Sequence, residues 1–544
     1  MTFLAQRLRQ IVTQRWVRAL LMTLAAALAA APLALAWGAG HARVEDYLGP
    51  HRATFASNYS GELEIDLGPI GNAFLPSPIA PLGAVVTVRG IGAPAEPVGA
   101  LLSERTLTAY TSLYTDPAGV TQGIVERLWQ SALARAAVAE GALLLVFVAF
   151  WRRDRLLAPV LAARLTNRRA LLAYATVLVL VVGSVLIPNP RPGLRIPIAA
   201  AANDARFASL TVDSVLLADL LDRGIKGITL LAARQQQAVD DYVATATLSL
   251  ADQLPALPAP RRDETMVLGL SDLHCNQATT ELITRLAAVT DASLVISAGD
   301  DTVNGTAAER GCVTREAAIA GGRPFLVATG NHDSDLTEQQ MASEQMVVLD
   351  GAPVQAAGIT VLGDDDPEHN IPFSVERVRD RAETEEEMAQ RLVEVARGRQ
   401  TDILVVHQPA AAKVVMATPD LPARLVLWGH FHSEVGPTVV SHADGSWSVG
   451  MRQGTAGGVR QPIATSFSTP FSPPLITADV YFYFLDSATG LVTGVQPVRF
   501  RPDGRVAIED RIRTGDLSQL PPETRVKLGA SPSPSPTAAE ATRR

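Results

Sequence analysis

Met266-Val267-Leu268-Gly269-Leu270 runs without a break into Ser271-Asp272-Leu273-His274, an apolar stretch that ends in side chains able to bind a metal. The same pattern recurs downstream. Residues 293–298 lead into Gly299-Asp300-Asp301, 324–329 into Gly330-Asn331-His332-Asp333, 402–406 into His407, and 425–428 into Gly429-His430-Phe431-His432. Short continuous apolar runs bounded by turn residues are the mark of fully buried strands. In sheets of this kind, sites form at the carboxyl ends of the strands. Strands that each end in Asp, His or Asn therefore gather those groups into one pocket. Asp272 and His274 are two apart, as are His430 and His432, so on an extended chain each pair points the same way. Singly, each fragment reads as a satisfied strand-end polar group. Together they hold five of the chain's nine histidines, each set directly after an apolar run, and a shared metal site accounts for them all.

In this order the fragments resemble the signature blocks of the calcineurin-like metallophosphoesterase superfamily, namely Asp-x-His, Gly-Asp, Gly-Asn-His-Asp, a single His and Gly-His-x-His. The resemblance covers residues 263–510. It implies an α/β fold, an αββα sandwich of two β-sheets flanked by helices, with two divalent metal ions at the strand ends. An Asp/His/Asn donor set accepts Mn, Fe or Zn. Carried over residue by residue, the family pattern places one ion on Asp272, His274, Asp300 and His432. The second would use Asp300, Asn331, His407 and His430, so that Asp300 bridges the pair. The implied activity is hydrolysis of a phosphomonoester, phosphodiester or pyrophosphate by a hydroxide shared between ions about 3.5–4 Å apart. His332 lies outside the metal set, near the leaving-group oxygen, as general acid or hydrogen-bond donor, and Asp333 is expected to orient it or raise its pKa. After Gly-Asp, many members carry a further acidic or aromatic group where this chain reads Asp301-Thr302-Val303-Asn304-Gly305, which bears on substrate choice. The alternative is a membrane receptor or assembly factor that keeps the fold as a ligand-binding module. Such a change usually shows as lost ligands, and none is lost here.

The rest of the chain is of a different kind. Of its 544 residues 47% are hydrophobic and 19% charged, against about 25% charged in soluble domains. Apolar runs at about Trp16–Ala39, Ala132–Trp151 and Ala170–Ile187 approach the roughly 20 residues a helix needs to cross a bilayer. Arg7, Arg9, Arg15 and Arg18 precede or open the first, and Arg152, Arg153, Arg155, Arg164, Arg168 and Arg169 fill the connection between the other two. Cytoplasmic loops carry the excess of Lys and Arg. The N-terminus and the 152–169 loop are therefore expected inside, and the catalytic domain outside the cell membrane. Ala34-Leu35-Ala36 also has the form of a signal-peptidase site. Glu140, within the second run, is read as snorkelling beside Arg135 rather than as an ion path. A net charge of −8 with no basic cluster excludes nucleic acid as a partner. The expected partners are the membrane and a phosphate-ester substrate, with lipid-linked phosphates favoured by the tethering.

The expected organisation is a cytoplasmic N-terminus and first span (1–40), a small β-rich exterior module (41–130), two further spans (131–188), an exterior helical connector and linker (189–262), the catalytic domain (263–510) and a C-terminal segment with a disordered Ser-Pro tail (511–544). Cys275 and Cys312 fall in loops that should border the site. In an oxidising exterior they can pair, with a stabilisation of roughly 4 kcal/mol in the chain-entropy model. Asp364-Asp365-Asp366 with His369 reads as a solvated turn, Glu383–Glu387 as an exposed helix face, and Gly454–Arg460 either as a substrate loop, with Arg452 or Arg460 on a phosphate oxygen, or as a plain glycine-rich turn.

Overall fold

A computed structural model describes residues 15–49, 51–89, 117–153, 193–203, 207–372, 377–379, 381–399, 401–421, 423–442, 444–460, 472–515 and 525–526. The chain forms two compact units, one built from residues 1–100 and 121–228 and the other from 101–120 and 229–544.

In the first unit, helix α1 (Arg15–Gly40) carries the one segment among the described residues, Met22–Gly40, that is long and apolar enough to cross a membrane. The second apolar run lies within α2 (Pro117–Arg153). The third run, and most of the arginine-rich loop before it, lie outside the described residues. Strands β1 (Arg43–Leu48), β2 (His51–Asn58), β3 (Glu62–Asp66), β4 (Asn72–Pro76) and β5 (Gly83–Val88) form a sheet in the order β1-β2-β5-β3-β4. Two short strands, β6 (Ile196–Pro197) and β7 (Thr211–Val212), extend it past β4. The connector thus begins as sheet, ahead of its helical part. Its apolar residues Ile198, Leu210 and Val212 are buried against Ala73 and Leu217. Only then does α3 (Val215–Asp252) begin.

In the second unit the expected strands are present. β8 (Glu264–Leu270), β9 (Leu294–Ser297) and β10 (Phe325–Val327) are parallel neighbours. β11 (Val347–Val348) lies beyond β10, while β20 (Ala478–Asp486), β21 (Val492–Phe500) and β22 (Val506–Ile508) complete the sheet on the side of β8, with β23 (Ile512–Arg513) also pairing β21. The second sheet runs β12 (Val354–Ala356), β13 (Ile359–Gly363), β16 (Thr401–Val405), β17 (Ala423–Trp428), β19 (Trp447–Arg452), β18 (Val435–Ser441) and β24 (Arg525–Val526). A separate hairpin pairs β14 (Glu368–Asn370) with β15 (Arg377–Arg379).

Alternation along β8 explains the layering. Met266, Leu268 and Leu270 face an outer core that includes Leu282, Ile283 and Leu286 of α4 (Gln277–Ala288) and Val313 of α5 (Arg310–Ala317). Val267 points the other way, with Ile296 and Leu326, onto Val361, Ile403, Leu425 and Val449 of the second sheet. The far face of that sheet is covered by α7 (Glu385–Gly398) and α8 (Pro409–Met416), through Met388, Leu392 and Val415. The order is helix, sheet, sheet, helix. Each sheet is apolar on both faces, so polar ligands are confined to strand ends.

Phe482 is fully buried in the outer core, whereas Val289 is 51% exposed at the end of α4. Phe482→Ala is expected to cost about 3–5 kcal/mol in urea unfolding, and Val289→Ala under about 0.5 kcal/mol. Equal losses at the two sites would contradict this layering.

Candidate metal centre

The site residues follow the carboxyl ends of the parallel strands of both sheets: Asp272 and His274 after β8, Asp300 after β9, Asn331 and His332 after β10, His407 after β16, and His430 and His432 after β17. None of the paired ligands sits on extended chain. Asp272, His274, Cys275, Asp300, His430 and His432 all have left-handed φ, between 46° and 76°, a conformation that L-residues avoid and that concentrates at functional sites. The pleat argument for the pairs therefore does not apply. Left-handed turns aim these side chains, and His430 and His432 go to different clusters.

The turns are held by one another. Asp272 N–H donates to Gly299 O (2.8 Å), His274 N–H to Asp300 O (3.0 Å) and Cys275 N–H to Asp301 O (2.8 Å), which zips the first ligand loop to the second. Cys275 and Cys312 form a disulfide that ties this loop to α5. Two block glycines are required by close approach. A Cβ on Gly330 would lie 2.3 Å from Asp300 Oδ1, and one on Gly429 would lie 1.9 Å from Ser271 Oγ.

Two groups of donor atoms result, Asp272/His274/His432 and Asp300/His407/His430, with atoms within each no more than 4.8 Å apart. The outward nitrogen of each of three rings is bonded to a backbone carbonyl: His274 Nδ1 to Thr302 O (3.1 Å), His407 Nδ1 to Ala298 O (2.7 Å) and His432 Nδ1 to Val459 O (2.6 Å). A carbonyl can only accept, so these Nδ1 atoms carry the proton and each Nε2 presents a lone pair inward. Yet His274 Nε2 and His432 Nε2 lie 3.0 Å apart, and His407 Nε2 lies 3.3 Å from His430 Nδ1. Acceptors at such distances repel unless a cation or proton lies between them. Asp300 Oδ2 stands 3.1 Å from His407 Nε2 and 3.9 Å from His274 Nε2, so one carboxylate oxygen addresses both groups. Asp272 Oδ1 is 3.3 Å from His432 Nε2. The donor set fits two divalent ions.

Electrostatics agree. Burial, with the charge of His432, pushes His274 down to about 3, and burial with the charge of His407 pushes His430 down to about 4. Burial also opposes a charge on His407, but Asp300, Asp272 and Asp366 outweigh it and hold its pKa up at about 10. Asp300 is itself held low, because burial is outweighed by the surrounding imidazoles. A proton on His407 thus occupies the place an ion would take.

His332 has its Nδ1 on Val303 O (2.7 Å) and its Nε2 on the side-chain amide of Asn370 (2.9 Å). Asp333 does not orient it. The Asp333 carboxylate instead accepts from the backbone N–H of Asp300 (3.0 Å), Gly330 (2.9 Å) and Thr302 (2.9 Å), and from Thr302 Oγ1 (2.8 Å). With the Asp301 N–H (3.3 Å) four amides converge on it, so that it braces the Gly-Asp loop rather than the ring. Asn331 is buried, and its Oδ1 accepts from Gln408 Nε2 (3.1 Å).

Sequence reading passed over several supports. Gln408 also donates to Asp366 Oδ2 (2.6 Å). The acidic loop is not a solvated turn, since Asp366 is buried and Asp364 is buried between Arg381 and Arg391. Buried Glu309 accepts from the N–H of Val303, Asn304 and Thr306, shaping the loop whose carbonyl holds His332. Thr306-x-x-Glu309 is a legible capping-box pattern that would have found it. The glycine-rich 454–460 stretch is scaffold: Thr455 Oγ1 and the Gly457 N–H both donate to Asp272 O, and Val459 O holds His432. Arg452 is engaged by Ser433, with its guanidinium over the Phe431 ring.

The family model described as Calcineurin-like phosphoesterase matches residues 265–434. No curated protein sequence matches the chain. Among solved structures, the chain is similar to the NAD nucleotidase of Haemophilus influenzae (16% identity, TM-score 0.27, 46% of this chain and 50% of that one), so it spans about half the length of that protein. It is also similar to the phosphoesterase Yfce of E. coli (14%, TM-score 0.22, 46% and 100%) and to a metallophosphoesterase from Sphaerobacter thermophilus (14%, TM-score 0.21, 46% and 89%).

Two outcomes follow from the geometry. His407 must lose its proton to bind an ion, so affinity is expected to fall on acidification, by about tenfold per pH unit below about 10. Titration calorimetry with Mn²⁺ or Zn²⁺ in buffers of different ionisation enthalpy would register the released proton, and pH-independent affinity between about 6 and 8 would remove His407 from the ion set. Asp333→Ala strands four buried amides and should lower stability by on the order of 3 kcal/mol and weaken metal retention. An unchanged melting curve would refute its bracing role.

Proposed function

We propose that this chain, which carries a calcineurin-like phosphoesterase domain at residues 265–434, is a membrane-anchored hydrolase that cleaves phosphomonoester, phosphodiester or pyrophosphate bonds on the exterior face of the membrane. The observation that carries the reading is the convergence of imidazole nitrogens onto Asp272 and Asp300, an arrangement that repels itself unless protons or cations lie between its members.

On this reading Asp272, His274, Asp300 and His432 hold one ion, and Asp300, Asn331, His407 and His430 the other. When bound, two divalent ions neutralise phosphoryl charge and supply an activated water. The chain's own contribution is positional. Asp300 addresses both ions, Gln408 keeps the Asn331 amide oxygen turned to its place, and the carbonyls of Thr302, Ala298 and Val459 fix the rings. His332, held in the Nδ1–H form by Val303, has its Nε2 on the leaving-group side, where the Asn370 amide meets it in the free chain. The departing oxygen would displace that amide and take a proton or hydrogen bond from Nε2. A receptor role is disfavoured by the completeness of the donor set.

The exterior orientation is supported by two independent features. Arginines at 15 and 18 lie at the N-terminal side of the Met22–Gly40 segment, as the positive-inside rule requires for an exterior C-terminal domain. The Cys275–Cys312 disulfide suits an oxidising compartment.

A phosphate-release screen of the full-length protein in detergent, with Mn²⁺, Fe²⁺ or Zn²⁺ added, tests the reading directly. Asp300→Ala should abolish turnover and lower metal content together. His332→Ala should lower kcat by about 10²–10⁴ at unchanged metal stoichiometry. Full turnover by Asp300→Ala would sink the assignment.

A further inference from the structure

The hairpin of β14 and β15 is fastened to the catalytic loop at one strand. Asn370 N–H donates to Asn331 O (2.6 Å), and the Asn370 side-chain amide meets His332 Nε2 (2.9 Å). Asn370 therefore stands on the side of the centre where the leaving group departs in the reading above, and this inference rests on that reading.

Arg377 is the register partner of Asn370. Directly opposed residues of an antiparallel pair project from the same face, so Arg377 is presented on the face that touches His332. The next pair on that face confirms the geometry, since Glu368 opposes Arg379 and the two form an ion pair at 2.7 Å. Of the three arginines on this segment, Arg379 is committed to Glu368, and Arg381 to Asp364 and Asp365. Arg377 is exposed and makes no ion pair among the described residues. Its charge is nevertheless felt at His430, where it joins burial and His407 in disfavouring the protonated ring, and at Glu385, which makes no ion pair with it.

We propose that the paired strands β14 and β15 form the leaving-group subsite, with Arg377 recognising a second phosphate on the departing group, so that the substrates are phosphoanhydrides rather than simple monoesters. A guanidinium pairs with phosphate through two parallel hydrogen bonds, and that of Arg377, on the strand face that carries Asn370 to His332, has no ion-pair partner among the described residues. In the reaction, water oxygen bonds to the terminal phosphorus and the bond from that phosphorus to the bridging oxygen breaks. The inner phosphate leaves with the electron pair, and the proton lost by water passes to an oxygen product or to solvent. Arg377 offsets the charge that collects on the inner phosphate. Asn370 is a positioning residue that fastens the hairpin and aligns the His332 ring.

The chemistry is shared by soluble nucleoside diphosphates and lipid diphosphates, so both are needed. Wild-type full-length protein and Arg377→Gln would be compared, with metal added, on ADP, on a polyprenyl diphosphate in detergent micelles, and on phenyl phosphate, whose leaving group carries no phosphate. The substitution should raise KM for at least one diphosphate by about tenfold or more while phenyl phosphate shifts by less than about twofold. Whichever diphosphate has the higher wild-type kcat/KM identifies the soluble or lipid-linked source. Binding of methylenediphosphonate, followed by calorimetry, should weaken in parallel, and that of phenylphosphonate should not. Unchanged KM for both diphosphates, or an equal rise for phenyl phosphate, overturns the subsite and leaves the phosphoesterase reading standing. Absence of phosphate release from every compound by the wild-type protein overturns the subsite together with the monoester and pyrophosphate forms of the proposed hydrolysis.

Discussion

Everything in the catalytic unit is arranged around a repulsion. Donor atoms of Asp272, His274, Asp300, His407, His430 and His432 are turned toward one another where water is largely excluded. Polar groups taken from water without partners are costly, and left alone these rings would rotate apart. They are held from behind. Carbonyls of Thr302, Ala298 and Val459 grip the outward nitrogens of three rings, and His430 N–H donates to Asp272. Six left-handed residues add strain on the order of 1–3 kcal/mol each. A doubly buried pair of sheets can offset that sum.

The bracing extends one layer further. Asp333 collects four amides of the Gly-Asp and Gly-Asn-His loops, Glu309 collects those of residues 303, 304 and 306, and the Cys275–Cys312 bond joins the first ligand loop to α5. Each acts on backbone rather than on a ligand side chain. Removing one would therefore shift a whole loop, and with it two or three ligands at once. The glycines at 330 and 429 belong to the same design, since loops this close leave no room for a Cβ.

The strands and the donor residues were legible because each rests on a local signal. An unbroken apolar run reads as a doubly buried strand, and β8, β9, β10, β16 and β17 lie within a residue or two of their expected bounds. What sequence did not carry was side-chain partnership across loops. Asp333 follows His332 in the chain, and adjacency suggested a pair, yet residues next to each other in a tight turn point apart, and four amides from elsewhere reached its carboxylate first. Asp364 and Asp366 looked solvated because their partners, Arg381, Arg391 and Gln408, are distant in sequence. Likewise β6 and β7 are too short for periodicity to reveal, and only the pairing of β7 with β4 and of β6 with β7 makes them strands.

The different partner found for His332 bears on how charge is distributed. A carboxylate behind the ring would add a negative charge to a pocket that already holds Asp272, Asp300 and Asp366, and would draw the ring toward itself. A backbone carbonyl fixes the tautomer and the ring plane without charge. On the proposed leaving-group side His332 itself meets only the neutral Val303 O and the Asn370 amide. On the proposed reading, a phosphoryl group bound at the centre would have its departing oxygen toward His332 and Asn370. That alignment is what in-line transfer needs from a protein that supplies position rather than covalent chemistry.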